Sequence, residues 1–352
     1  MDLPGCIERA IVNTSALLVK GGNKISLLIL DETAETFYPL HPHISVIQKP
    51  LFFDITKKGN KLSRKLLFIK DLRELKKTLK ALNPHTVIAT EYHFSVMAVL
   101  SGIQSSSRVM SWEHHHFYVL KRNRFWQFLF DKYYPRLDGV IVLNHDEAKL
   151  FQKLNKNILV IPNFIDRQDP SVIEEHHDPT ILTIVRLNKV KGIDLLLQVA
   201  RSILKNHPKW KWKLIGQGIM KNDVLDFIAR EGLQDQLQLF QPVSHQIFHD
   251  YIRSSFFVLP SRHECFPMVL LEAMSSGLPC IAFDCETGPR DIITDQNDGL
   301  LIEKENVPLM IIAIDQMIKS QEMRRLMSEN AYNNVQRFSP EAVLTLWENV
   351  LG

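Results

Sequence analysis

Short apolar runs alternate along the chain with longer segments that carry apolar side chains at helical spacing. In the second half these runs are apolar throughout, as strands of a parallel sheet covered on both faces must be. They are TILTIV, WKLIG, QLQLF, SFFVLP, LPCIAF and DGLLI, and the first half repeats the pattern less clearly with KISLLIL, HTVIAT, SRVMSW and GVIVLN. The pattern predicts an α/β protein with doubly wound, Rossmann-like sheets.

The segment IPNFIDRQDP (161–170) contains two prolines and passes from apolar to polar residues, so it is the predicted linker. We therefore predict an N-terminal domain over residues 1–163 and a C-terminal domain over 164–337. A serine–proline pair in residues 338–352 predicts a last helix, which we expect to pack back toward the N-terminal domain. Two such domains facing each other would leave a cleft at the carboxyl ends of both sheets.

The composition is that of a globular protein, with 45% hydrophobic and 23% charged residues among 352. No run of eighteen apolar residues predicts a membrane span, and the first residues lack the pattern of a signal peptide. Four cysteines without a C-x-x-C pair do not predict a disulfide framework. These features predict a cytoplasmic location in a reducing compartment.

The charge is unevenly distributed between the two halves. Residues 1–170 carry 24 Lys and Arg against 16 Asp and Glu, whereas the remainder carries 18 against 23. Segments 57–80 and 121–136 combine cations with apolar or aromatic residues. They are either amphipathic helices with a solvated basic face or surfaces for anionic lipid headgroups. Nucleic acid is the other anionic candidate, but no binding motif supports it.

The stretch HECFPMVLLEAM places Glu264 eight positions before Glu272, with Pro267 where a helix would begin. The first amides of a helix have no partner inside it and favour an anion. They would be those of Met268, Val269 and Leu270. Glu272 could accept hydrogen bonds from the two hydroxyls of a ribose, and Glu264 from a second polyhydroxylated group. The spacing therefore points to a ligand composed of sugar, phosphate and sugar.

Two cations accompany these acids in IVRLNKVKG. Arg186 follows a predicted strand, and Lys191 precedes the next helix, so both would reach the same edge of the sheet. Together they could neutralise a diphosphate leaving group without a metal ion. A third strand end, IGQG, has glycines at Gly216 and Gly218 that permit close backbone approach.

Residues 181–302 resemble the donor domain of the family-4 retaining glycosyltransferases, which have the glycosyltransferase B fold. The matching segments are VRLNKVKGIDLL, KLIGQG, LPSRHECFPMVLLEAMSSGLPCIAFDCETGPRDII and DGLLI. The resemblance implies that Glu272 binds the nucleotide ribose and Glu264 the transferred sugar. It assigns the diphosphate to Arg186 and Lys191. The remaining donor-site positions are Gly216, Phe266, Pro267, Met268 and Val269, with the backbone near Gln241 and Val243 at the base.

The segment SWEHHHFY follows a strand of the first half. Adjacent histidines on an extended segment point to opposite sides, so one metal ion would bind at most two of His114, His115 and His116. A solvated loop is the alternative. In the family that this chain resembles, a histidine after a glutamate lies beside the transferred sugar, which assigns that role to His114.

The start of the chain departs from the family pattern. Family members begin with an apolar strand and a Gly-Gly loop, whereas LPGCIERAIVNTSALL supplies a loop and a helix only. Gly5 and Cys6 would form that loop on the acceptor side, with Cys6 in place of the second glycine. We therefore predict two facing Rossmann-like domains whose first strand is missing, which would leave its neighbours, KISLLIL and HTVIAT, without ladder partners.

The resemblance implies a metal-independent enzyme without a cofactor, whose catalytic residues are Glu264, His114, Arg186 and Lys191. Its donor would be a UDP-hexose or UDP-N-acetylhexosamine, and its acceptor a hydroxyl of a growing, lipid-linked bacterial surface glycan. The other expected partner is an anionic membrane surface on the inner face of the plasma membrane, not nucleic acid. The alternatives are an epimerase or a phosphorylase of the same fold, or an inactive glycan-binding subunit.

Overall fold

The computed structural model describes residues 6–30, 38–52, 61–166, 178–242 and 244–351. The chain divides into two compact units. We call residues 4–162 with 344–352 the N-terminal unit, and residues 163–343 the C-terminal unit. Both units are built on parallel sheets with helices between the strands, which confirms the predicted α/β class.

Before the linker, the described residues of the N-terminal unit form six strands and five α-helices. The strands are β1 (Ser26–Ile29), β2 (Ser45–Gln48), β3 (Thr86–Thr90), β4 (Arg108–Trp112), β5 (Gly139–Val142) and β6 (Ile158–Val160). The helices are α1 (Cys6–Lys20), α2 (Lys61–Leu82), α3 (Tyr92–Leu100), α4 (Arg124–Tyr133) and α5 (His145–Phe151). Strands β3 to β6 form one parallel sheet in chain order, and β1 pairs with β2 in a separate parallel sheet.

The separation of these two sheets bears on the predicted missing strand. Within the described residues, β1 pairs only with β2, and β3 pairs only with β4 on one side. Leu28 of β1 and Val87 of β3 nevertheless pack against the same aromatic core. A strand lying between β1 and β3 would join the two sheets, and no described residue supplies it.

The core of the N-terminal unit is aromatic. Phe130 and Phe151 are fully buried around Tyr134, and their rings lie 3.9 Å and 6.1 Å from the tyrosine ring. The end of the last helix, residues 344–351, also belongs to this unit. There Trp347 packs edge-on against Trp112 of β4, with ring centroids 5.0 Å apart.

The C-terminal unit has one six-stranded sheet. Its strands are β7 (Thr180–Ile184), β8 (Lys211–Ile215), β9 (Leu237–Phe240), β10 (Phe256–Leu259), β11 (Cys280–Asp284) and β12 (Gly299–Glu303). Its helices are α6 (Ile193–Asn206), α7 (Lys221–Glu231), α8 (Ser244–Arg253), α9 (Met268–Ser275), α10 (Pro289–Ile292), α11 (Val307–Lys319) and α12 (Gln321–Asn334), and α13 (Pro340–Leu351) begins here. The predicted strands are thus present, and all are parallel.

The strand order of this sheet is β12-β11-β10-β7-β8-β9. The chain starts at β7, proceeds outward to β9 on one side, and then crosses to β10 on the other. The direction of winding therefore reverses between β7 and β10. In an open α/β sheet, ligands bind at the carboxyl ends of the strands at such a reversal. The loops after β7 and β10 carry Arg186, Lys191 and Glu264 of the predicted site.

One buried hydrogen-bond chain ties the central strands together. The indole of Trp212 in β8 donates to the hydroxyl of Thr183 in β7 at 3.1 Å, and that hydroxyl donates to the carbonyl of Val258 in β10 at 2.8 Å. All three residues are buried, so each polar atom has a partner where water is excluded. None of the described helices is both long and apolar enough to cross a membrane.

Candidate functional site

Helix α9 begins directly after the loop that follows β10. Pro267, with φ −72° and ψ 103°, precedes the first helical residue, Met268, so the prediction that the proline is the first helical residue is wrong by one position. The amide of Leu270 donates to the carbonyl of Pro267 at 3.0 Å, which contradicts the prediction that it has no partner. Within the described residues, the amides of Met268 and Val269 have no backbone partner, and they suit an anion.

Glu272 lies inside α9, and a tyrosine from another helix contacts its carboxylate. The hydroxyl of Tyr251 in α8 donates to Glu272 Oε2 at 2.8 Å. The hydroxyls of Ser275 and Ser276 both donate to the backbone carbonyl of Glu272 at 2.9 Å. These contacts restrain both the side chain and the local backbone of the acid that the sequence assigns to the ribose.

Glu264 and Lys191 meet across the crevice between β10 and β7. Lys191 Nζ lies 2.7 Å from Glu264 Oε1, and only 8% of the glutamate side chain is exposed. A carboxylate so deeply buried needs a cation or hydrogen-bond donors, and the lysine is such a partner. The structure thus places the predicted sugar ligand and one predicted diphosphate ligand in direct contact.

Arg262 connects the two loops that carry these residues. Its guanidinium donates to both carboxylate oxygens of Asp194 in α6 at 2.7 and 2.8 Å, and to the carbonyl of Lys189 at 2.6 Å. Its Nε donates to Glu305 at 3.0 Å. The planar fork of arginine is suited to such a bidentate contact. Arg262 was not predicted, and its position two residues before Glu264 is the one weak signal in the sequence that could have selected it.

Glycine permits close contact between the ends of the central strands. Gly192 has φ +68°, and a Cβ placed there would lie 1.8 Å from the carbonyl oxygen of Pro260. At Gly216 a Cβ would lie 2.1 Å from the carbonyl oxygen of Val185. Gly216 therefore has a structural reason to be glycine, in addition to its predicted place beside the donor.

The other predicted donor-site residues differ in how far they are buried and in what they contact. Arg186 is exposed after β7 and, in the described part of the chain, has no ion pair. Gln241 is exposed after β9 and accepts a hydrogen bond from Gln217 at 3.2 Å. The ring of Phe266 is buried edge-on against Phe338, at 5.4 Å, so it serves the core of the unit. Val243 lies outside the described residues.

The three consecutive histidines, His114, His115 and His116, have different environments. His114 is buried against Trp112, at 4.3 Å between rings, and burial lowers its pKa to about 3, so it is neutral. Its Nε2 has no hydrogen-bond partner in the described structure. His115 is half-exposed and lies 3.6 Å from Glu91, whereas His116 is buried and contacts Glu147. The described residues contain no group of three or more side chains arranged to hold a metal ion.

Two further features of this region were not predicted. Glu91 follows β3 with φ +69°, a conformation that costs a non-glycine residue about 1–3 kcal/mol. Glu113 is buried with Ser111 and Tyr134 as hydrogen-bond donors, and burial raises its pKa. Of the predicted acceptor loop, Gly5 lies outside the described residues, and Cys6 is the first residue of α1.

Two family models match the chain in succession. "Glycosyltransferase Family 4" matches residues 7–169, and "Glycosyl transferases group 1" matches residues 164–334. Together they span the N-terminal unit and the C-terminal unit almost completely. The chain belongs to the family-4 glycosyltransferases, which confirms the family that its motifs predicted.

Curated relatives agree with this family. An uncharacterized glycosyltransferase of Haemophilus influenzae is 27% identical, and the match covers 99% of this chain and 96% of the relative. The amylovoran biosynthesis glycosyltransferase AmsD of Erwinia amylovora is 30% identical over 60% of this chain and 61% of the relative. The chain therefore spans less than two thirds of AmsD.

Solved structures share the fold. The lipopolysaccharide outer core galactosyltransferase WaaB superposes with a TM-score of 0.78 at 19% identity, over 99% of this chain and 95% of that one. A mutant of TarM from S. aureus, in complex with fondaparinux, α-GlcNAc-glycerol and UDP, gives 0.69 at 23% identity, over 80% and 59%. These likenesses confirm the fold class of two Rossmann-like domains, the glycosyltransferase B fold.

Proposed function

We propose that the protein is a retaining, metal-independent glycosyltransferase. It moves a hexose or N-acetylhexosamine from a UDP-sugar to a hydroxyl of a growing, lipid-linked bacterial surface glycan. The contact between Lys191 and Glu264 carries this proposal, because it joins a cation for the diphosphate to an acid for the sugar at the winding reversal of the sheet. The reactions named for AmsD and WaaB, and the UDP bound to TarM, support the substrate classes.

In this proposal each end of the donor has its own ligands in the C-terminal unit. Glu272 accepts hydrogen bonds from the ribose hydroxyls, and Glu264 from the sugar. The amides of Met268 and Val269 join Arg186 and Lys191 at the diphosphate. Lys191 offsets the negative charge of Glu264, so that the anionic diphosphate can approach without uncompensated repulsion.

The proposed reaction needs no covalent intermediate with the protein. The bond between the anomeric carbon and the diphosphate breaks while the acceptor hydroxyl bonds to the same face of that carbon. The hydroxyl proton passes to the departing phosphate. Arg186 and Lys191 stabilise the negative charge that develops on this leaving group. Neutral His114 would hydrogen-bond the transferred sugar through Nε2, which has no partner in the described structure.

We also propose that the N-terminal unit docks on the inner face of the plasma membrane from the cytoplasm. On α4 the side chains of Phe125 and Phe128 are 52% and 60% exposed, one turn apart, beside the exposed Arg124 and Lys132. Exposed aromatic residues within a basic surround suit the boundary between lipid headgroups and acyl chains. Such docking would bring the enzyme to a lipid-linked acceptor.

A donor screen tests the function. The protein is incubated with UDP-sugars and with lipid extracts of bacterial envelopes as acceptor, and UDP release is measured with and without the extract. Acceptor-dependent release of UDP from one donor is the expected result. Release that requires inorganic phosphate would instead indicate a phosphorylase, and sugar isomerisation without release an epimerase.

The same assay tests metal independence. Activity in EDTA is expected to equal activity without chelator, because Arg186 and Lys191 take the role of a divalent ion at the diphosphate. Donor and protein are treated with EDTA together, and manganese is then restored in excess. Loss of turnover in EDTA, with recovery in manganese, would contradict the proposed role of these cations.

A further inference from the structure

We propose that Tyr251 is a positioning residue of the donor site, which holds the Glu272 carboxylate where the ribose hydroxyls of the nucleotide donate to it. The proposal rests on the proposed function, because that function assigns the ribose to Glu272. It adds a residue from α8 to a site whose other members lie in the loops after β7, β8, β9 and β10 and in α9.

The geometry of the contact carries the proposal. The Tyr251 hydroxyl lies 2.8 Å from Glu272 Oε2, a normal distance for a hydrogen bond from a hydroxyl to a carboxylate. The tyrosine is 2% exposed, and its ring packs 5.9 Å from that of Phe257 in β10. Since the ring is held by the core of the unit, its hydroxyl is a fixed point from which the carboxylate is oriented.

Fixing this carboxylate in advance would improve nucleotide binding. A glutamate side chain has several rotatable bonds, and ordering it when a ligand arrives costs conformational entropy. A hydrogen bond from a buried donor removes part of that cost before binding. Side chains that orient the ligands of a site in this way have large effects without touching the bound molecule.

A purely structural role for the hydroxyl is the competing explanation. A buried tyrosine needs an acceptor for its O–H, and Glu272 would then serve the tyrosine rather than the reverse. The Val269 carbonyl also lies 3.5 Å from this hydroxyl, which is long for a hydrogen bond. The two explanations differ in whether loss of the hydroxyl affects ribose recognition specifically.

Two nucleotides that differ only in the ribose hydroxyls distinguish these explanations. UDP and 2′,3′-dideoxyuridine diphosphate are titrated calorimetrically into the wild-type protein, Tyr251→Phe, Glu272→Gln and the double variant. Tyr332→Phe is the matched control, because it removes a tyrosine hydroxyl from α12 of the same unit. Thermal melts of all variants check folding. The donor KM and kcat of Tyr251→Phe are measured with the substrate found in the screen.

Tyr251→Phe is expected to weaken UDP binding about 5- to 20-fold and dideoxy-UDP binding less than about twofold. The double variant is expected to lose little more than Glu272→Gln alone, since both changes disable one contact. The donor KM should rise with little change in kcat.

Equal weakening of both nucleotides would assign Tyr251 a structural role and overturn the proposal, as would unchanged UDP affinity. If wild-type protein binds UDP but Tyr251→Phe binds it equally well, only the role of Tyr251 fails. If the wild-type protein binds no UDP, the proposed function fails and the positioning role fails with it.

Discussion

At the scale of single residues, the two acids Glu264 and Glu272 differ in their partners. Glu272 accepts a hydrogen bond from a neutral tyrosine, whereas Glu264 is paired with a lysine. The tyrosine hydroxyl adds no positive charge beside Glu272, which suits the proposed recognition of uncharged ribose hydroxyls. Glu264 and Lys191 form an ion pair, and the proposed contact with the diphosphate would give the lysine a second role. The two glutamates look alike in the sequence, but their different partners suit them to different parts of the donor.

The first prediction follows from this difference. Glu272→Ala is expected to weaken UDP binding about 10- to 100-fold, because hydrogen bonds to a charged group contribute about 1.5–3 kcal/mol. Glu264→Ala is expected to change UDP affinity less than about threefold, while it reduces turnover with the complete sugar nucleotide. Calorimetric titration of UDP measures the first effect and UDP release the second. Asp226→Ala, an exposed acid of α7, is the control.

The outcome that would contradict this assignment is specific. If the two alanine variants lose UDP affinity equally, the ribose and the transferred sugar have been assigned to the wrong acids. If only Glu264→Ala loses it, Lys191 requires its glutamate partner in order to bind the diphosphate.

A second prediction concerns His114 and pH. Burial lowers its pKa from 6.5 to about 3, so the unfolded chain binds a proton at this residue between these values and the folded chain does not. Its contribution to stability is therefore present above pH 6.5 and is lost as pH falls toward 3. The buried Glu113 acts in the opposite direction, since its pKa is raised in the folded state.

Replacement of the histidine isolates its contribution from that of Glu113. His114→Asn is expected to have a smaller loss of unfolding free energy between pH 7 and pH 5 than wild type, by about 1–2 kcal/mol. Urea unfolding at both pH values, with the half-exposed His115→Asn as control, measures the difference. An unchanged pH dependence in His114→Asn would show that the folded protein protonates His114 normally.

At the scale of elements, the sequence predicted most of the strands because parallel strands buried on both faces have continuous apolar runs. It could not predict the role of Arg262, because this depends on which loops the sheet order brings together. Nor could it predict that His114 and His116 are the buried histidines and His115 the half-exposed one. The role of Tyr251 could not be predicted either, because a buried tyrosine in an amphipathic helix is typical of any core.

Helix α4 shows how one element serves two environments. Trp126, Leu129 and Phe130 face the core, whereas Phe125 and Phe128 remain more than half exposed. Two aromatic side chains exposed one turn apart on a basic segment are the feature on which the docking proposal rests. We therefore expect segment 121–136 to be more than a solvated face.

A third prediction tests this patch. The double variant Phe125→Ser/Phe128→Ser is expected to lose most binding to anionic vesicles, because it removes the apolar contact while the cations remain. Sedimentation with phosphatidylcholine vesicles, with and without phosphatidylglycerol, measures binding at low and physiological salt. Added salt should weaken it, since the Debye length falls to about 8 Å. Ile312→Ser, exposed to 52% in α11, is the control, and wild-type indifference to lipid charge would overturn the docking proposal.

At the scale of the whole molecule, each of the two units has its own sheets, but the chain does not divide at a single point. It passes from the N-terminal unit to the C-terminal unit near residue 163, and its last residues from 344 return to the N-terminal unit. Within that unit, the guanidinium of Arg108 donates to the carbonyl of Leu351 at 2.7 Å, and Trp347 is buried against Trp112. The end of the chain is therefore part of the core that surrounds β4.

The last prediction concerns whether a change in the core of the N-terminal unit affects UDP binding by the C-terminal unit. Trp347→Ala is expected to destabilise the N-terminal unit by about 3–5 kcal/mol, because it leaves a cavity against the indole of Trp112. UDP affinity should not change, since every residue proposed to bind the UDP part of the donor lies in the C-terminal unit. Urea unfolding, limited proteolysis with mass mapping and UDP titration measure these effects, with exposed Leu346→Ala on the same helix as control. Cleavage is expected first within residues 6–162. Lost UDP affinity in a variant whose N-terminal unit stays protected would show that donor binding depends on the end of the chain.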